Sequence, residues 1–369
     1  MKILRDHSIK RLWILVAVAA LAGCLGRVKH PPLVVEGGVA VSHEPYQREL
    51  FFELENTKQK IFEMMPHPDK DHLRLVTSSG LLDYDIPANK RTGQPFAMPK
   101  PYMDIHSALL SRSGEAHYLA DGSNEDVLTI YDGQGQIHGR VIKSRLQPFL
   151  AADITGDGQA EICVPAYHRK GLVGLGSTLQ VFDSQGRKQH ARPLAHNISA
   201  FRALNVDDDP AQELIFYFYP TTHQKGAFQI EKANGTVLQR WETDPVGDFC
   251  IINWNNQPHI LSNPDANFRV YNLEGKVVAT LAAQHASYFR EVRAVRFGGN
   301  RYAVLATGDG YRPHYMLCVY NNKGALLYQR FGEGNELCIA SLGVDEPSIL
   351  LAEKTYEQTG KVWQFKLPQ

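Results

Sequence analysis

Short apolar runs separated by polar turns recur along most of this chain. Runs such as Leu128–Tyr131, Leu179–Phe182 and Phe268–Tyr271 combine aromatic and aliphatic residues over four positions, a composition that favours β-strands. No segment of useful length follows the 3.6-residue period of an amphipathic helix. The pattern therefore predicts an all-β protein.

The polar turns share a glycine at a fixed relative position. Asn or Asp with a following Gly provides the positive-φ residues that short hairpins require. Successive glycines are 40 to 55 residues apart, so the chain reads as a repeat protein. The turns are Tyr131–Gly135, Phe182–Gly186, Glu231–Gly235, Tyr271–Gly275 and Tyr320–Gly324, with Thr77–Gly80 as an earlier, weaker copy.

Four strands in a unit of 40 to 55 residues describe a blade of a β-propeller. The repeats predict about seven blades, at about residues 60–100, 101–146, 147–195, 196–244, 245–285, 286–333 and 334–369. The last blade stops at its third strand, so we expect an N-terminal strand at Glu49–Leu54 to complete it and close the ring. Closure removes exposed sheet edges. A tandem of β-sandwiches, the alternative fold, would not explain a three-stranded final unit.

Acidic loops interrupt the repeats just before a predicted second strand. In the first loop, Asp153, Thr155, Asp157 and Glu161 fall at relative positions 1, 3, 5 and 9, with Gly158 at position 6. A hard cation needs several oxygens turned inward by a tight loop, and glycine permits the sharp turn. The spacing therefore indicates a candidate metal site.

A second copy of the loop, Asn205–Glu213, begins 52 residues after the first. With this loop ahead of the second strand, the repeats resemble the FG-GAP/VCBS family of propellers, seen also in the integrin α-subunit head. The resemblance covers most of residues 60–369 and implies bound Ca²⁺. The implied ligands are Asp153, Thr155, Asp157, Glu161 and the Gln159 carbonyl in the first loop, and Asn205, Asp207, Asp209, Glu213 and the Ala211 carbonyl in the second.

The two loops differ at position 6. Pro210 stands where the first loop has Gly158, and its fixed negative φ conflicts with a turn that needs a positive one. The first loop is therefore the stronger candidate for a structural Ca²⁺. For the second loop, an acidic solvated turn is the alternative.

The first 23 residues have the features of an export signal. Basic residues precede the uncharged run Leu12–Ala20, which is too short to span a bilayer comfortably. The following Leu21–Cys24 resembles the lipobox of bacterial lipoproteins, which implies cleavage before Cys24 and lipidation of that cysteine. An ordinary signal peptide and an uncleaved signal anchor are the alternatives.

This organisation predicts a signal peptide at residues 1–23, a tether at 24–48 after lipidated Cys24, and a propeller at 49–369. We expect a monomer held by its lipid in the bacterial cell envelope and facing the periplasm. Leu25, in place of an aspartate, is typical of lipoproteins sorted to the outer membrane.

Charge and cysteine usage exclude several classes of protein. The 39 basic and 39 acidic residues give no whole-protein case for nucleic-acid binding. Besides Cys24, the chain has Cys163, Cys250, Cys318 and Cys338 in apolar runs without metal-finger spacing. We expect these four to be unpaired thiols that pack as small hydrophobes.

Strand direction separates two ends of the predicted ring. Loops between second and third strands share one end with the connections between blades, and the acidic loops lie at the other. The first end, which we call the aromatic-basic face, indicates an interaction surface for a protein or glycan, with ordinary polar loops as the alternative. Its residues are Tyr167, His168, Arg169, Tyr219, His223, Arg290, Tyr311, Arg312, His314 and Tyr356.

Catalytic signatures are scarce in this sequence, which has no GxSxG, HExxH or Walker motif. We therefore interpret the chain as a non-catalytic binding or scaffolding propeller. The alternative is a polysaccharide lyase or hydrolase acting on an acidic glycan. In that case His314 with Arg312, or His168 with Arg169, would supply a base and a charge-neutralising group.

Overall fold

The computed structural model is a ring of seven antiparallel sheets, each of four strands. It describes residues 47–54, 61–66, 72–88, 90–97, 104–108, 110, 116–122, 126–143, 148–170, 174–207, 209–218, 225–264, 267–283, 289–308, 314–333, 336–341, 348–354 and 360–366. Regular structure in these ranges is entirely β. None of these residues belongs to a helix that could cross a membrane.

Strands follow one another along the chain from the inner to the outer position of each blade, except in the seventh. The first four blades contain β2 (Ile61–Pro66), β3 (His72–Thr77), β4 (Gly80–Asp85), β5 (Lys90–Ala97); β6 (Asp104–Ala108), β7 (His117–Asp121), β8 (Val127–Tyr131), β9 (Ile137–Ile142); β10 (Leu150–Ala152), β11 (Glu161–Lys170), β12 (Gly174–Phe182), β13 (Lys188–Leu194); and β14 (Ile198–Leu204), β15 (Glu213–Phe218), β16 (Gly226–Glu231), β17 (Val237–Thr243). The last three contain β18 (Phe249–Trp254), β19 (Gln257–Ser262), β20 (Phe268–Tyr271), β21 (Val277–Leu281); β22 (Phe289–Phe297), β23 (Arg301–Gly308), β24 (His314–Asn321), β25 (Leu326–Glu333); and β26 (Glu336–Ser341), β27 (Ser348–Lys354), β28 (Lys361–Lys366), with β1 (Gln47–Glu53).

The N-terminal strand closes the ring. β1 pairs antiparallel with β28, starting at Gln47 opposite Lys366, and Leu54 donates its amide to the Gly360 carbonyl at 2.8 Å. The seventh sheet has the order β1-β28-β27-β26, so both ends of the described chain build one blade. The predicted seven-bladed propeller and its closing N-terminal strand are confirmed.

Burial falls from the middle of a blade to its rim. In the fourth blade every residue of β15 and β16 is buried, whereas most of β17 is exposed or half-buried. Neighbouring blades cover both faces of the middle strands, so side chains on both faces are shielded from water. The outer strand has one face open to solvent and alternates accordingly.

Aromatic side chains from successive blades interlock between the sheets. Tyr217, Phe228, Phe249 and Tyr271, from four different strands, belong to one buried cluster. The rings of Phe228 and Phe249 meet edge to face at 5.1 Å, and the Val246 amide donates to the Tyr217 hydroxyl at 2.9 Å. Burying one such side chain contributes about 1.5–3 kcal/mol, so adjacent blades stabilise each other.

The five glycine turns join the third strand of a blade to the fourth. Their glycines have φ between 77° and 90°, and in the second blade Gly135 donates its amide to the Asp132 carbonyl at 3.1 Å. Our assignment of Thr77–Gly80 to the same set is wrong, because this turn joins β3 to β4, the second and third strands of its blade. The equivalent turn of the first blade instead follows Asp85.

Gly275 tests how closely a turn packs against the neighbouring blade. Its φ is +82°, and a Cβ there would lie 2.5 Å from the ring of Trp241. Gly275→Ala therefore adds left-handed strain of about 1–2 kcal/mol and overpacking of about 1–3 kcal/mol. We expect the free energy of unfolding, measured by urea denaturation, to fall by roughly 2–5 kcal/mol.

Gly299→Ala is the matched control, because Gly299 has a φ of +74° with open space around its Cα. That substitution carries only the strain, about 1–2 kcal/mol. Equal losses in the two variants would contradict the packing argument.

Candidate functional site

The acidic loops lie side by side at one end of the ring. Residues 153–160 join β10 to β11 and residues 205–212 join β14 to β15, so each loop precedes a second strand, as predicted. Gln212 donates its amide to the Asp153 carbonyl at 2.7 Å, and the Gln212 side-chain oxygen accepts from the Asp153 amide at 3.1 Å. The two loops are therefore directly connected.

Two glycines shape the first loop. Gly156 and Gly158 have φ of 75° and 85°, so the positive φ expected at Gly158 is confirmed. A Cβ on Gly156 would lie 2.9 Å from atoms of Pro210 and Ala211. Glycine thus lets the first loop both curl tightly and lie against the second.

Asp153 is the centre of the first loop. Its Oδ1 accepts the amides of Gly156 at 2.7 Å and Asp157 at 3.1 Å, and its Oδ2 accepts the Gly158 amide at 2.8 Å. Asp157 in turn accepts the Gln159 amide at 2.9 Å. These bonds fix the directions of both carboxylates.

Glu161 closes the first loop from its far end. Its Oε2 accepts the Ile154 amide at 3.0 Å and its Oε1 accepts the Thr155 hydroxyl at 3.1 Å. Burial raises the pKa of Glu161, and the negative charges of Asp153 and Asp157 raise it further. One carboxylate and one hydroxyl oxygen therefore meet here, and oxygen atoms are the ligands that a hard cation takes. The carboxylates of Asp153, Asp157 and Glu161 do not gather into a triad like that of the second loop.

The second loop repeats part of this arrangement. Glu213 accepts the Val206 amide at 2.9 Å, which is the same contact that its counterpart makes in the first loop. Carboxylate oxygens of Asp207, Asp209 and Glu213 lie within 4.8 Å of one another. Among the described residues this is the one acidic, His or Cys triad so closely gathered, and it could hold a metal ion. The closest carboxylate triad thus lies in the second loop, although Pro210 makes the first loop the stronger candidate from the sequence.

The remaining contacts of the second loop are internal. Asp207 accepts the Asp209 amide at 3.0 Å, and Asp209 accepts the Ala211 amide at 2.9 Å. Asn205 uses its side-chain nitrogen to donate to the Asp209 carbonyl at 2.5 Å. The position-1 side chain thus acts as a donor here, whereas its counterpart in the first loop acts as an acceptor.

Lys232, which the sequence analysis did not single out, is part of this site. It lies in the turn between β16 and β17, and its Nζ is 2.8 Å from Asp207 Oδ2 and 2.6 Å from Asp209 Oδ2. Hydrogen bonding to Lys232 lowers the pKa of Asp207. One feature of the sequence could have pointed to Lys232. In the turn Glu231–Gly235, Glu and Lys replace the aromatic residue and the Asn or Asp that begin the other turns.

The aromatic-basic face is described only in part. Tyr167, His168 and Arg169 lie near the end of β11, about 20–26 Å along the strand from Glu161 at a rise of about 3.3 Å per residue. They were expected in a loop, but pairing with β12 continues to Lys170 opposite Gly174.

Other predicted residues of that face follow the same direction. Arg290 is near the start of β22 and His314 begins β24, and both positions lie at the end of the ring opposite the acidic loops. Tyr219, His223, Tyr311, Arg312 and Tyr356 lie outside the described residues, as does Cys24.

His196 lies at the same end of the ring, in the connection between the third and fourth blades, and its side chain has defined contacts. Its Nε2 is 3.2 Å from an Arg240 guanidinium nitrogen, and its ring meets Phe218 edge to face at 5.5 Å. Burial and the charge of Arg240 lower the pKa of His196. The imidazole is therefore neutral beside a fixed cation at neutral pH.

Charged side chains connect the innermost strands. Arg202 pairs with both carboxylate oxygens of Asp248 at 2.9 and 3.1 Å, and Asp248 also accepts the Val292 amide at 3.3 Å. Arg293 donates to the Phe62 carbonyl at 3.2 Å, which links the sixth blade to the first past the seventh. The inner strands are thus held by polar as well as apolar contacts.

A cavity of about 360 Å³ opens between the first and second blades. It lies at the acidic-loop end, because part of its lining belongs to a turn between third and fourth strands. Its described lining contains no His–Arg pair of the kind that the lyase alternative requires. The lining residues are Arg74, Ala116, Tyr118, Asp132, Gly133 and Gln134.

The four described cysteines are free thiols, as predicted. Cys163, Cys318 and Cys338 are buried and Cys250 is half-buried. Burial raises the pKa of Cys163, Cys250 and Cys318 to about 12. These thiols are therefore protonated at neutral pH, and a protonated thiol is a weak nucleophile.

Solved structures share the fold of this chain. The AfRom2 CNH domain superimposes with a TM-score of 0.54 at 11% identity, covering 88% of this chain and 100% of that one. BBS1N, in its complex with ARL6DN, gives a TM-score of 0.52 at 10% identity, covering 85% and 96%. No protein-family model matches the sequence, and no curated protein matches it significantly. The likeness therefore establishes the seven-bladed propeller fold.

Glu161 predicts a pH-dependent difference in stability when divalent ions are removed. Because its pKa is raised in the folded protein, its contribution to stability is fully present below its unfolded pKa of about 4.3 and is lost as the pH rises through the folded value. In EDTA, we expect Glu161→Gln to gain melting temperature relative to wild type as the pH rises from about 4 to 7, reaching about 1–2 °C.

Glu274→Gln is the control for this measurement, because Glu274 is an exposed carboxylate in the turn between β20 and β21. Its melting temperature should follow that of the wild type across the range. A difference for Glu161→Gln that stays constant with pH would contradict a raised pKa of Glu161 in the folded protein.

Proposed function

We propose that this chain is a lipid-anchored propeller of the bacterial envelope that binds a protein or glycan without catalysis. The observation that carries the proposal is the closed ring of seven four-stranded blades. A closed ring holds several loops at fixed positions, so a partner can bind with little ordering of the surface. The partner would bind at the aromatic-basic face.

Described contacts support a preformed surface at that end. Arg240 bonds both to His196 at 3.2 Å and to Gln229 at 3.1 Å, and its guanidinium lies over the Phe218 ring at 5.9 Å. The cation is thus oriented before any partner arrives. Arginine beside an aromatic ring is a combination enriched at the centres of interfaces.

One structural neighbour supports the general role. BBS1N, which shares the propeller fold, was solved in a complex with ARL6DN. The protonated state of the described thiols also argues against thiol catalysis. Together these observations favour a binding module over a hydrolase for this chain.

Calcium and the lipid anchor complete the proposal. The first loop offers oxygens of Asp153, Thr155, Asp157 and Glu161. Burial and the nearby charges of Asp153 and Asp157 raise the pKa of Glu161, and Ca²⁺ there would favour its charged form. The ion would rigidify the end opposite the binding surface, with an affinity on the order of 10⁻⁴–10⁻³ M. The lipobox-like Leu21–Cys24 supports anchoring through lipidated Cys24.

The binding role predicts that substitutions on the aromatic-basic face strongly reduce partner capture. Full-length protein in detergent, with His168, Arg169, Arg312 and His314 replaced by Ala, should capture at least about tenfold less of its envelope partner than wild type, equivalent to about 1.4 kcal/mol. Capture would be quantified by mass spectrometry for proteins and by a glycan array for carbohydrates.

The matched control carries alanine at Gln134, Lys276 and Lys323, three exposed polar residues at the acidic-loop end. We expect it to capture the partner as the wild type does. Equal capture by the face variant and the wild type would place the binding surface elsewhere.

The metal proposal predicts a calcium-dependent melting temperature. In 1 mM Ca²⁺ the wild-type chain should melt about 2–4 °C above its value in EDTA, because the ion binds the folded loop and not the unfolded chain. Asp157→Asn should lose this gain, whereas the control Asp183→Asn in another turn of the same blade should keep it. An equal wild-type melting temperature in Ca²⁺ and in EDTA would contradict a structural calcium ion in the first loop.

A further inference from the structure

One glycine turn departs from the other four in two adjacent positions. In the fourth blade, Glu231 and Lys232 stand where the remaining turns have an aromatic residue followed by Asp or Asn. The corresponding pairs are Tyr131-Asp132, Phe182-Asp183, Tyr271-Asn272 and Tyr320-Asn321. Two linked departures at one turn indicate a local requirement that the other blades do not have.

The Asp or Asn of the ordinary turn binds its own backbone. Asp132 Oδ1, for example, accepts the amides of the second and fourth residues after it at 2.9 and 2.8 Å. Lys232 has no oxygen for this purpose, and Asn234 instead accepts the Thr236 amide at 2.9 Å. The lysine side chain is therefore released from the turn and extends to the acidic loop of its own blade.

The neighbouring Glu231 anchors this turn to the third blade. It is only 2% exposed, forms an ion pair with Arg192 of β13, and accepts the Gln229 side-chain amide at 2.7 Å. Arg192 also donates to the Ala233 carbonyl at 3.0 Å. These contacts hold the turn on both sides, so the backbone that carries Lys232 is fixed relative to the loop.

We propose that Lys232 is the cation of the second acidic loop, in the place that a divalent ion would take. Its ammonium lies 2.8 Å from Asp207 Oδ2 and 2.6 Å from Asp209 Oδ2, and these are two of the three carboxylates that gather there. The chain itself thus supplies a positive charge to the loop, and the loop folds without metal. This inference does not depend on the binding role of the opposite face or on calcium in the first loop.

The donor set of the second loop agrees with an ammonium better than with Ca²⁺. Calcium takes six to eight oxygen ligands at about 2.3–2.6 Å, and an ion at that distance from the same two oxygens would repel Lys232 at close range. Asn205 offers a neutral amide where the first loop has the carboxylate of Asp153, and its nitrogen donates to the Asp209 carbonyl. Pro210 replaces the glycine of the first loop. With Lys232 in place, the second loop therefore favours the ammonium over Ca²⁺.

The test uses the full-length chain in detergent with the first loop silenced by Asp157→Asn. In this background we expect the melting temperature to be the same in 1 mM Ca²⁺ and in EDTA. Adding Lys232→Met should lower the midpoint in EDTA and make it calcium-dependent, with a gain of about 2 °C in 1 mM Ca²⁺. Lys232→Arg keeps the positive charge and should stay calcium-independent, as should the control Lys276→Met in the turn of the fifth blade.

Equilibrium dialysis with Ca²⁺ gives a second measurement in the wild-type background. Lys232→Met should bind one more Ca²⁺ per chain than wild type, whatever the first loop binds, and Asp209→Asn in the same chain should remove the additional ion. The proposal is overturned if Asp157→Asn with Lys232 intact gains stability from Ca²⁺ and loses that gain on Asp209→Asn. It is equally overturned if Lys232→Met changes neither the midpoint nor the stoichiometry.

Discussion

The backbone pairing between β1 and β28 is the contact on which the arrangement of the blades depends. Each blade buries its middle strands by packing against the next blade. The first and seventh blades therefore depend on their mutual contact for burial, as any adjacent pair does. One cluster joins Leu73 and Leu75 of the first blade to Leu350 and Val362 of the seventh. If β1 were released, β28 would become an open edge and this cluster would lose the cover that Leu54 gives it.

The repeat was predictable because it is local. Glycine turns, alternating apolar runs and a three-stranded final unit appear within short windows of sequence, and together they predicted seven blades and ring closure. The turn at Gly80 was misassigned because glycine spacing alone does not say which two strands a turn joins. The first blade places its third-to-fourth turn after Asp85, without the glycine found elsewhere.

The acidic loops were predictable in position but not in electrostatics. Side-chain spacing located both loops, and Gly158 has the positive φ that the pattern requires. The carboxylates of Asp207 and Asp209 in the second loop contact Lys232, which belongs to another hairpin. The spacing of side chains within a loop cannot reveal a contact with a residue outside that loop. The length of β11 was missed for a related reason, because it depends on a neighbouring strand. Pairing with β12 extends β11 to include His168 and Arg169, which we expected in a loop.

Ring closure also determines how the protein would respond to a mechanical load. Tension applied at Gln47 acts directly on β1, because this residue begins the strand. A pull along the strand axis loads the whole β1–β28 ladder in shear, whereas a sideways pull opens its hydrogen bonds one at a time. The direction of tension on the N-terminal segment would therefore decide whether the ring stays closed or opens at the seventh blade.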